Sequence, residues 1–564
     1  MYNTTFHREF AINFFGFFRK FWPDTCFFKI ISILHTYTGF HEFYALFFAG
    51  FRWYNRVKLY WRRTAPRRRS QEMKLYLYGH DYKYAVEQML LTLFPSERPE
   101  YPGGKPVGDR FEIRLSEGGV FVTAVCRIVL GGVCRLGRSA CKKSEISSPL
   151  LRDRICQSLV KNAVYHAALR SGVERPAWGS LSGVRPGKVF TPLLEEGLSN
   201  EDAVKAFMKK YDVSESRARL CLQTSLETVK AEKSLAKRDV CLYVGIPFCP
   251  TRCAYCSFVS QSVEKSMKLI PPFLEALYKE IAALAEQVRK NGLRVISIYM
   301  GGGTPTTLSA AQLDTLCTLI AESFDLSALR EYTVEAGRPD TITEEKLAVL
   351  RRHGVDRVSV NPQTMCDRVL ETIGRRHTAQ DIIDAIALVR KVGGFAVNMD
   401  LIAGLPDDSA EGFSETLSKV LALSPENITI HTLSLKKGSK ITLEGSPLPT
   451  AAEVGDMLDS SRSRLEGAGY FPYYLYRQKF MSGGFENVGW AKKGYVNLYN
   501  IFIMEELCSI LAVGGGGSTK LVCPGDSRNL RLMAPKYPLE YINSIEKTCH
   551  SKEEISRFYE TEVK

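Results

Sequence analysis

The residues between 239 and 435 alternate between two kinds of segment, and this alternation restricts the fold more than any other feature of the chain. Short apolar runs rich in β-branched residues are separated by amphipathic stretches with helical spacing. Six successive strand–helix units imply a parallel sheet with its helices outside. The predicted strands are CLYVGI, RVISIYM, EYTVEA, DRVSVNP, AVNMDLI and NITIHTLSL, and the predicted helices include Pro272–Arg289, Ala311–Ser323, Glu344–His353, Gln380–Val392 and Gly412–Leu423.

Polar residues end each predicted strand, and their position helps to choose between an open, doubly wound sheet and a barrel. Cys249 and the stretch GGGTPT follow the first two strands, and Glu335, Gln363, Asp400 and His431 end the next four. Barrel enzymes build their sites at the carboxyl ends of the strands. We therefore predict an α/β fold with a partial (β/α)6 barrel of the TIM type.

Three cysteines in the stretch YVGIPFCPTRCAYCSFVS form a C-x3-C-x2-C loop at the end of the first strand. A closed structural zinc site has four ligands, commonly as two C-x2-C pairs, and the chain contains no second pair. A 4Fe-4S cluster with three thiolates leaves one iron open for a small-molecule ligand. Spacing alone leaves two alternatives, a zinc site with a distant fourth ligand and a chance cluster.

The C-x3-C-x2-C loop is the signature of radical S-adenosylmethionine enzymes. GGGTPT, TVEAGRPD, RVSVNPQT, IGRRHT and NMDLIAGLP follow in the order found in the oxygen-independent coproporphyrinogen III oxidase family, and ITIHTLSLKKGS and YFPYYLYRQKFM resemble its HemZ-type, coproporphyrinogen dehydrogenase branch. The resemblance runs from about Met73 to Ile545. It implies that the open iron binds S-adenosylmethionine and that electron transfer cleaves the cofactor to a 5′-deoxyadenosyl radical.

The resemblance also implies roles for individual residues. Glu335 and Arg375 would face the methionine end of S-adenosylmethionine, and Gln363 and Asp400 would hold the ribose hydroxyls. Glycines would let the backbone approach the methionine amino group closely. The predicted cluster ligands and catalytic residues are Cys249, Cys253 and Cys256, and the predicted cofactor-binding residues are Tyr243, Tyr255, Phe258, Gly301, Gly302, Gly303, Thr304, Glu335, Gln363, Arg375 and Asp400.

One position departs from the pattern of the decarboxylating members, which carry a further cysteine two residues after the third. Phe258 occupies it here, as in a related branch that acts as a haem chaperone. The expected function is oxidative decarboxylation of coproporphyrinogen III to protoporphyrinogen IX in haem biosynthesis. The alternatives are a haem-binding chaperone that retains the cluster and a radical enzyme acting on another substrate, such as RNA.

The first 72 residues differ from the rest of the chain. They hold 22 of the 61 aromatic residues and 12 Lys and Arg against 4 Asp and Glu, so they contribute +8 of the net charge of +14. We expect this leader to be spurious or dispensable, with the folded protein starting at Met73, and a membrane-associated segment is the alternative. Because the remaining 492 residues carry only +6, a nucleic-acid partner is not expected.

The rest of the chain is predicted to form an N-terminal α+β domain (73–235), the radical S-adenosylmethionine core (236–440) and a C-terminal extension (441–564). The resemblance implies that the extension lies on the substrate side, where Tyr473, Tyr474, Tyr476 and Arg477 would offer flat surface and a cation to a tetrapyrrole. The alternative is that the tyrosines belong to the core. Apart from the cysteine loop, the cysteines occur singly, which indicates a reducing, cytoplasmic setting. The predicted partners are the tetrapyrrole and a low-potential electron donor such as a flavodoxin or ferredoxin.

Overall fold

The computed structural model describes residues 72–94, 97–183, 185–256, 261–262, 266–434, 447–478, 482–522 and 529–561. Residues 1–71 of the aromatic leader, Phe258 and the predicted boundary at 440/441 lie outside these ranges. No helix within them is both long and apolar enough to cross a bilayer.

The first part of the described chain is a five-stranded sheet with two helices on one face. Alternation in β4 buries Val122, Ala124, Cys126 and Ile128 on that face. Gly137 lets the second helix pack against the edge strand, since a Cβ there would overlap the carbonyl oxygen of Ala163. The strand order is β2-β1-β3-β4-β5. The elements are β1 (Glu72–Tyr78), α1 (Lys83–Leu93), β2 (Arg98–Glu100), β3 (Arg110–Glu117), β4 (Phe121–Leu130), β5 (Val133–Lys142) and α2 (Pro149–Arg170).

The six predicted strand–helix units are present and form consecutive parallel neighbours in a second sheet. Each strand pairs with the one before it in the chain. The order of these six strands in the sheet never reverses, as it would in a doubly wound sheet. The units therefore have the strand order of a barrel, which confirms the predicted α/β fold class. The strands are β6 (Asp239–Ile246), β9 (Arg294–Gly302), β10 (Glu331–Glu335), β11 (Arg357–Ser359), β12 (Ala396–Ala403) and β13 (Asn427–Thr432), and the pair β7 (Phe248–Cys249) and β8 (Gln261–Ser262) lies between β6 and β9.

The barrel helices begin where the sequence supplies a cap. Ser309, Thr343, Thr378 and Ser409 each accept a hydrogen bond from the backbone N–H three residues on. The helices therefore start one or two residues earlier than predicted, or at the predicted residue in the case of Glu344. They are α6 (Ile270–Lys290), α7 (Ala310–Ser323), α8 (Glu344–Arg352), α9 (Asp367–Thr372), α10 (Ala379–Val392) and α11 (Ala410–Leu423).

Residues after 450 extend both edges of this sheet. Their strand β16 pairs in parallel with β6, and β15 pairs antiparallel with β13. The sheet order is β14-β15-β13-β12-β11-β10-β9-β6-β16-β17-β18. The elements are α12 (Ala451–Gly467), β14 (Phe471–Arg477), β15 (Glu486–Ala491), α13 (Leu498–Glu505), β16 (Ser509–Gly514), β17 (Ser518–Val522), β18 (Asn529–Met533), α14 (Pro538–Asn543), α15 (Ile545–His550) and α16 (Glu553–Thr561).

Three helices connect the two sheets, and they pack with the second. Trp178, Phe190 and Phe207 lie in the same hydrophobic core as the strands of the barrel, whereas the first sheet and α2 form a core of their own. The domain boundary near residue 235 remains a prediction. The connecting helices are α3 (Gly187–Glu195), α4 (Asn200–Tyr211) and α5 (Glu215–Lys233).

Candidate functional site

The three cysteines lie on the loop that follows β6, at the carboxyl edge of the parallel strands. The side chains of Cys249, Cys253 and Cys256 are partly exposed and are not joined in disulfides. The Thr304 hydroxyl lies 3.5 Å from the Cys249 sulfur. Within the described ranges, no three His, Cys, Asp or Glu side chains are already arranged around a metal position. The structure therefore brings the three thiols to one loop without closing them into a site.

The loop between α9 and α10 contacts the cysteine loop through hydrogen bonds. The Ala254 N–H donates to the Ile373 carbonyl over 2.9 Å, and the Thr251 hydroxyl lies 3.4 Å from the Gly374 carbonyl. From the loop between α9 and α10, Arg375 donates to the Tyr255 hydroxyl over 3.1 Å and to backbone carbonyls. The predicted residues Tyr255 and Arg375 are thus in direct contact.

Arg338 contacts the cysteine loop directly, although it was not among the predicted site residues. Its Nη2 donates to the Cys253 sulfur over 3.2 Å and to Thr251. Burial raises the pKa of Cys253, but the charges of Arg375 and Arg338 outweigh burial and hold that pKa below its ordinary value. The signal was available in the motif TVEAGRPD, which puts an arginine just past the end of a strand.

The glycine-rich stretch Gly301–Thr304 is tied to the segment that leads into the cysteine loop. The Gly303 N–H donates to the Ile246 carbonyl over 2.8 Å, and the Thr304 N–H donates to the Phe248 carbonyl over 2.7 Å. A Cβ at Gly303 would lie 2.7 Å from the Ile246 oxygen and would overlap the Phe248 oxygen. The close approach that requires glycine here is therefore to the chain's own backbone.

Glu335 lies beside the glycine stretch, at the end of β10. It accepts a hydrogen bond from the Tyr299 hydroxyl over 2.6 Å, and a Cβ at Gly301 would lie 2.8 Å from its carboxyl carbon. Burial, reinforced by the charge of Asp400, raises the pKa of Glu335 to about 7. Tyr299 also belongs to a group of stacked rings with Tyr243 and Tyr499, which lines the interior next to this carboxyl group.

Gln363 and Asp400, predicted to share the ribose, lie on adjacent segments. The Gln363 N–H donates to the Asp400 carbonyl over 2.9 Å, and Gln363 holds a left-handed backbone conformation with φ of 68°. The Asp400 carboxylate accepts a hydrogen bond from Asn398 over 2.9 Å and lies 3.7 Å from His431. Burial acts to raise the pKa of Asp400, but His431 and the hydrogen bonds outweigh it and keep the pKa low.

The tyrosines of β14 divide between the interior and the mouth of the barrel. Tyr476 is half-buried; its hydroxyl lies 3.3 Å from His431 Nδ1, and its ring stacks on Tyr474 with centroids 6.2 Å apart. Tyr473 is fully buried and accepts a hydrogen bond from Asn500 over 3.1 Å. Tyr476 and His431 are therefore available beside Asp400, whereas Tyr473 belongs to the core.

The substrate-facing role predicted for Arg477 is wrong. This guanidinium is only 6% exposed; it lies over the Trp178 ring and donates to the carbonyls of Leu181, Gly183 and Gly484. Burial lowers its pKa to about 10. A cation whose donors are occupied by backbone carbonyls holds the connecting helices onto β14 and cannot reach a propionate.

The donor set fits a 4Fe-4S cluster with S-adenosylmethionine. Three thiols lie on one loop, beside buried guanidinium groups that favour a thiolate. Among the residues that the structure describes, Arg375 Nε and both ring nitrogens of His377 are buried and have no hydrogen-bond partner. Buried polar groups are nearly always paired, so these atoms suit the polar groups of a bound cofactor.

Comparisons with known proteins agree with this geometry. The Radical SAM superfamily matches residues 243–420. Over 465 residues the chain is 35% identical to the oxygen-independent coproporphyrinogen-III oxidase-like protein HemZ of Bacillus subtilis (strain 168), a match that covers 80% of this chain and 91% of HemZ. The chain belongs to this family of radical S-adenosylmethionine proteins. Its cofactors are a 4Fe-4S cluster and S-adenosylmethionine, as predicted.

Other proteins to which the chain is similar are more distant. The haem chaperone HemW of Escherichia coli (strain K12) is 28% identical over 300 residues, which cover 53% of this chain and 74% of HemW. The solved structure of coproporphyrinogen III oxidase (HemN) from Escherichia coli is 22% identical, covers 58% of this chain and 73% of its own, and superimposes with a TM-score of 0.45. The two curated relatives therefore carry different activities in their names, oxidase-like for HemZ and haem chaperone for HemW.

Proposed function

We propose that this protein catalyses the oxidative decarboxylation of coproporphyrinogen III to protoporphyrinogen IX. The observation that carries the proposal is the relationship to HemZ, an oxidase-like protein, over 91% of its length. When bound, the cluster and S-adenosylmethionine would supply a radical that removes one hydrogen atom from a propionate carbon. Loss of carbon dioxide then leaves one electron, which a separate one-electron acceptor has to take up. The chain's own residues hold the cofactor, exclude water and present the tetrapyrrole.

We assign cofactor binding to the residues at the carboxyl ends of the strands. Ionised Glu335 would pair with the methionine ammonium, and the free Nε of Arg375 would donate to the methionine carboxylate. Asp400 and Gln363 would receive the ribose hydroxyls, since their backbones are hydrogen-bonded to each other. Binding at several points fixes the reacting carbon relative to the substrate, which is the main contribution that the protein makes to rate.

We assign the tetrapyrrole side to Tyr476 and His431. Both side chains are half-buried at the mouth of the barrel, where a flat ring can stack on one and hydrogen bond to the other. Their proximity to Asp400 would bring a bound tetrapyrrole close to the ribose position. This arrangement replaces the role first predicted for Arg477.

A haem chaperone is the second candidate, favoured by the 28% identity with HemW. A chaperone has only to hold haem, for which His431 is a suitable axial ligand and Tyr476 a stacking surface. It would keep the cluster and would not turn over coproporphyrinogen. The RNA alternative has no named relative among those described above to support it.

The two candidates differ in their products. Anaerobic protein with its cluster reconstituted, given dithionite, S-adenosylmethionine and coproporphyrinogen III, should release carbon dioxide in proportion to 5′-deoxyadenosine. Cys253→Ala is the matched control and should release neither. Release of no carbon dioxide, combined with stoichiometric haem binding in a spectroscopic titration, would overturn the oxidase proposal and establish the chaperone.

A further inference from the structure

Arg338 carries a positive charge in the interior that no carboxylate neutralises. The residue is only 3% exposed, and in the described part of the chain no Asp or Glu forms an ion pair with it. A buried charge without a counter-ion is costly, so buried arginines normally face an anion. The Cys253 sulfur, 3.2 Å from Arg338 Nη2, is a group that can become an anion.

The same nitrogen also holds the backbone that carries this sulfur. Arg338 Nη2 donates to the Thr251 carbonyl over 2.9 Å and to the Thr251 hydroxyl over 2.8 Å. These contacts join the end of β10 to the cysteine loop across 85–87 residues of sequence. A single side chain therefore fixes both the position of the loop and the direction of one sulfur.

Cys249 and Cys253 differ in the hydrogen-bond donor that faces their sulfur. Cys249 faces a neutral donor, the Thr304 hydroxyl, at the longer distance of 3.5 Å. Cys253 faces the guanidinium of Arg338, with a second buried guanidinium, Arg375, near enough to act on its charge. Charge-assisted hydrogen bonds are about twice as strong as neutral ones. Two buried guanidinium groups therefore act on the Cys253 sulfur.

We propose that Arg338 is a positioning residue for the cluster, which fixes the Cys253 thiolate as an iron ligand through an N–H···S hydrogen bond and raises the reduction potential of the cluster. Reduction adds one electron, which increases the negative charge beside a buried cation. The reduced form is therefore stabilised more than the oxidised form, as hydrogen bonds to cluster sulfurs do in general. The inference concerns the cluster alone and holds whichever substrate the protein acts on.

The test is a redox titration of the reconstituted protein with dithionite, followed by the electron paramagnetic resonance signal of the reduced cluster. Arg338→Gln removes the charge and should make one-electron reduction about tenfold less favourable, a fall of about 59 mV. Arg338→Lys keeps the charge, so its cluster should show a smaller fall in reduction potential. Arg352→Gln is the matched control, because it removes an arginine whose side chain is 60% exposed on α8 of the same barrel; it should leave the potential unchanged.

Iron retention gives a second readout for variants that fold poorly. A lysine cannot reproduce the planar fork of donors, so Arg338→Lys should lose iron to a chelator faster than the wild type. The inference is wrong if Arg338→Gln holds four irons per chain at the wild-type potential. It is equally wrong if Arg338→Lys keeps both the potential and the rate of iron loss of the wild type.

Discussion

Replacing Gly303 with alanine tests whether the glycine stretch is needed to hold the cysteine loop. The added Cβ would meet three backbone atoms of the preceding segment, with 2.7 Å to the Ile246 oxygen, 2.8 Å to the Phe248 nitrogen and an overlap with the Phe248 oxygen. Backbone atoms cannot rotate away as a flexible side chain can. The segment must separate from Gly303 until these contacts relax.

The separation has a calculable cost. It breaks or weakens the two hydrogen bonds that Gly303 and Thr304 donate to Ile246 and Phe248, at about 1 kcal/mol each. Overpacking of a tight site adds about 1–3 kcal/mol. The free energy of unfolding of Gly303→Ala should therefore fall by about 3–5 kcal/mol. Cys249 directly follows Phe248, so cofactor cleavage should also fall about a hundredfold, the usual consequence of a misplacement of about 1 Å.

The assay has two parts and one matched control. Urea unfolding of the protein measures stability, and 5′-deoxyadenosine formed from S-adenosylmethionine measures cleavage. Gly467→Ala is the control: it lies in the last turn of α12, where an added Cβ meets no atom within 4 Å, and should gain up to about 1 kcal/mol. A Gly303→Ala protein with wild-type stability and cleavage would refute the reasoning.

Four further predictions concern the site and its surroundings. Cys253→Ala should abolish cleavage of S-adenosylmethionine, while Cys317→Ala, a buried thiol beside Tyr332, should keep four irons per chain by colorimetric iron assay; full cleavage in Cys253→Ala would exclude the cluster. Because burial raises the pKa of Glu335 to about 7, the folded state holds a proton there, so the free energy of unfolding should decrease as pH rises from 4.5 to about 7. Equilibrium dialysis should also show S-adenosylmethionine binding strengthening through pH 7, and Glu335→Gln should remove both dependences. Arg252→Glu, on the exposed side of the cysteine loop, should slow cluster reduction by flavodoxin in stopped flow but not by dithionite; equal rates with flavodoxin would show that the donor docks elsewhere. Arg477→Met should lower the melting temperature without changing the Michaelis constant for coproporphyrinogen, since the guanidinium is buried on Trp178, and a change confined to that constant would restore the substrate role.

Local sequence determined the elements of the barrel and placed on one loop the three cysteines that we propose as cluster ligands. Strand and helix periodicities are set by neighbours a few residues apart, and helix starts are set by caps such as Ser309 and Thr378. The cysteine loop is equally local, because three thiols within eight residues cannot be far apart. For these features, the residues that interact are also close in the chain.

Tertiary structure decided which distant residues meet. Arg338 contacts Cys253, Arg477 lies over the Trp178 ring, and β16 pairs with β6. These contacts join segments that are separated by 85 to nearly 300 residues. The sequence shows that Arg477 is a cation but not which way it points, because direction depends on the backbones packed around it. An arginine therefore contacts the cysteine loop at position 338 and lies in the core at position 477. This difference arises from the way the surrounding segments pack.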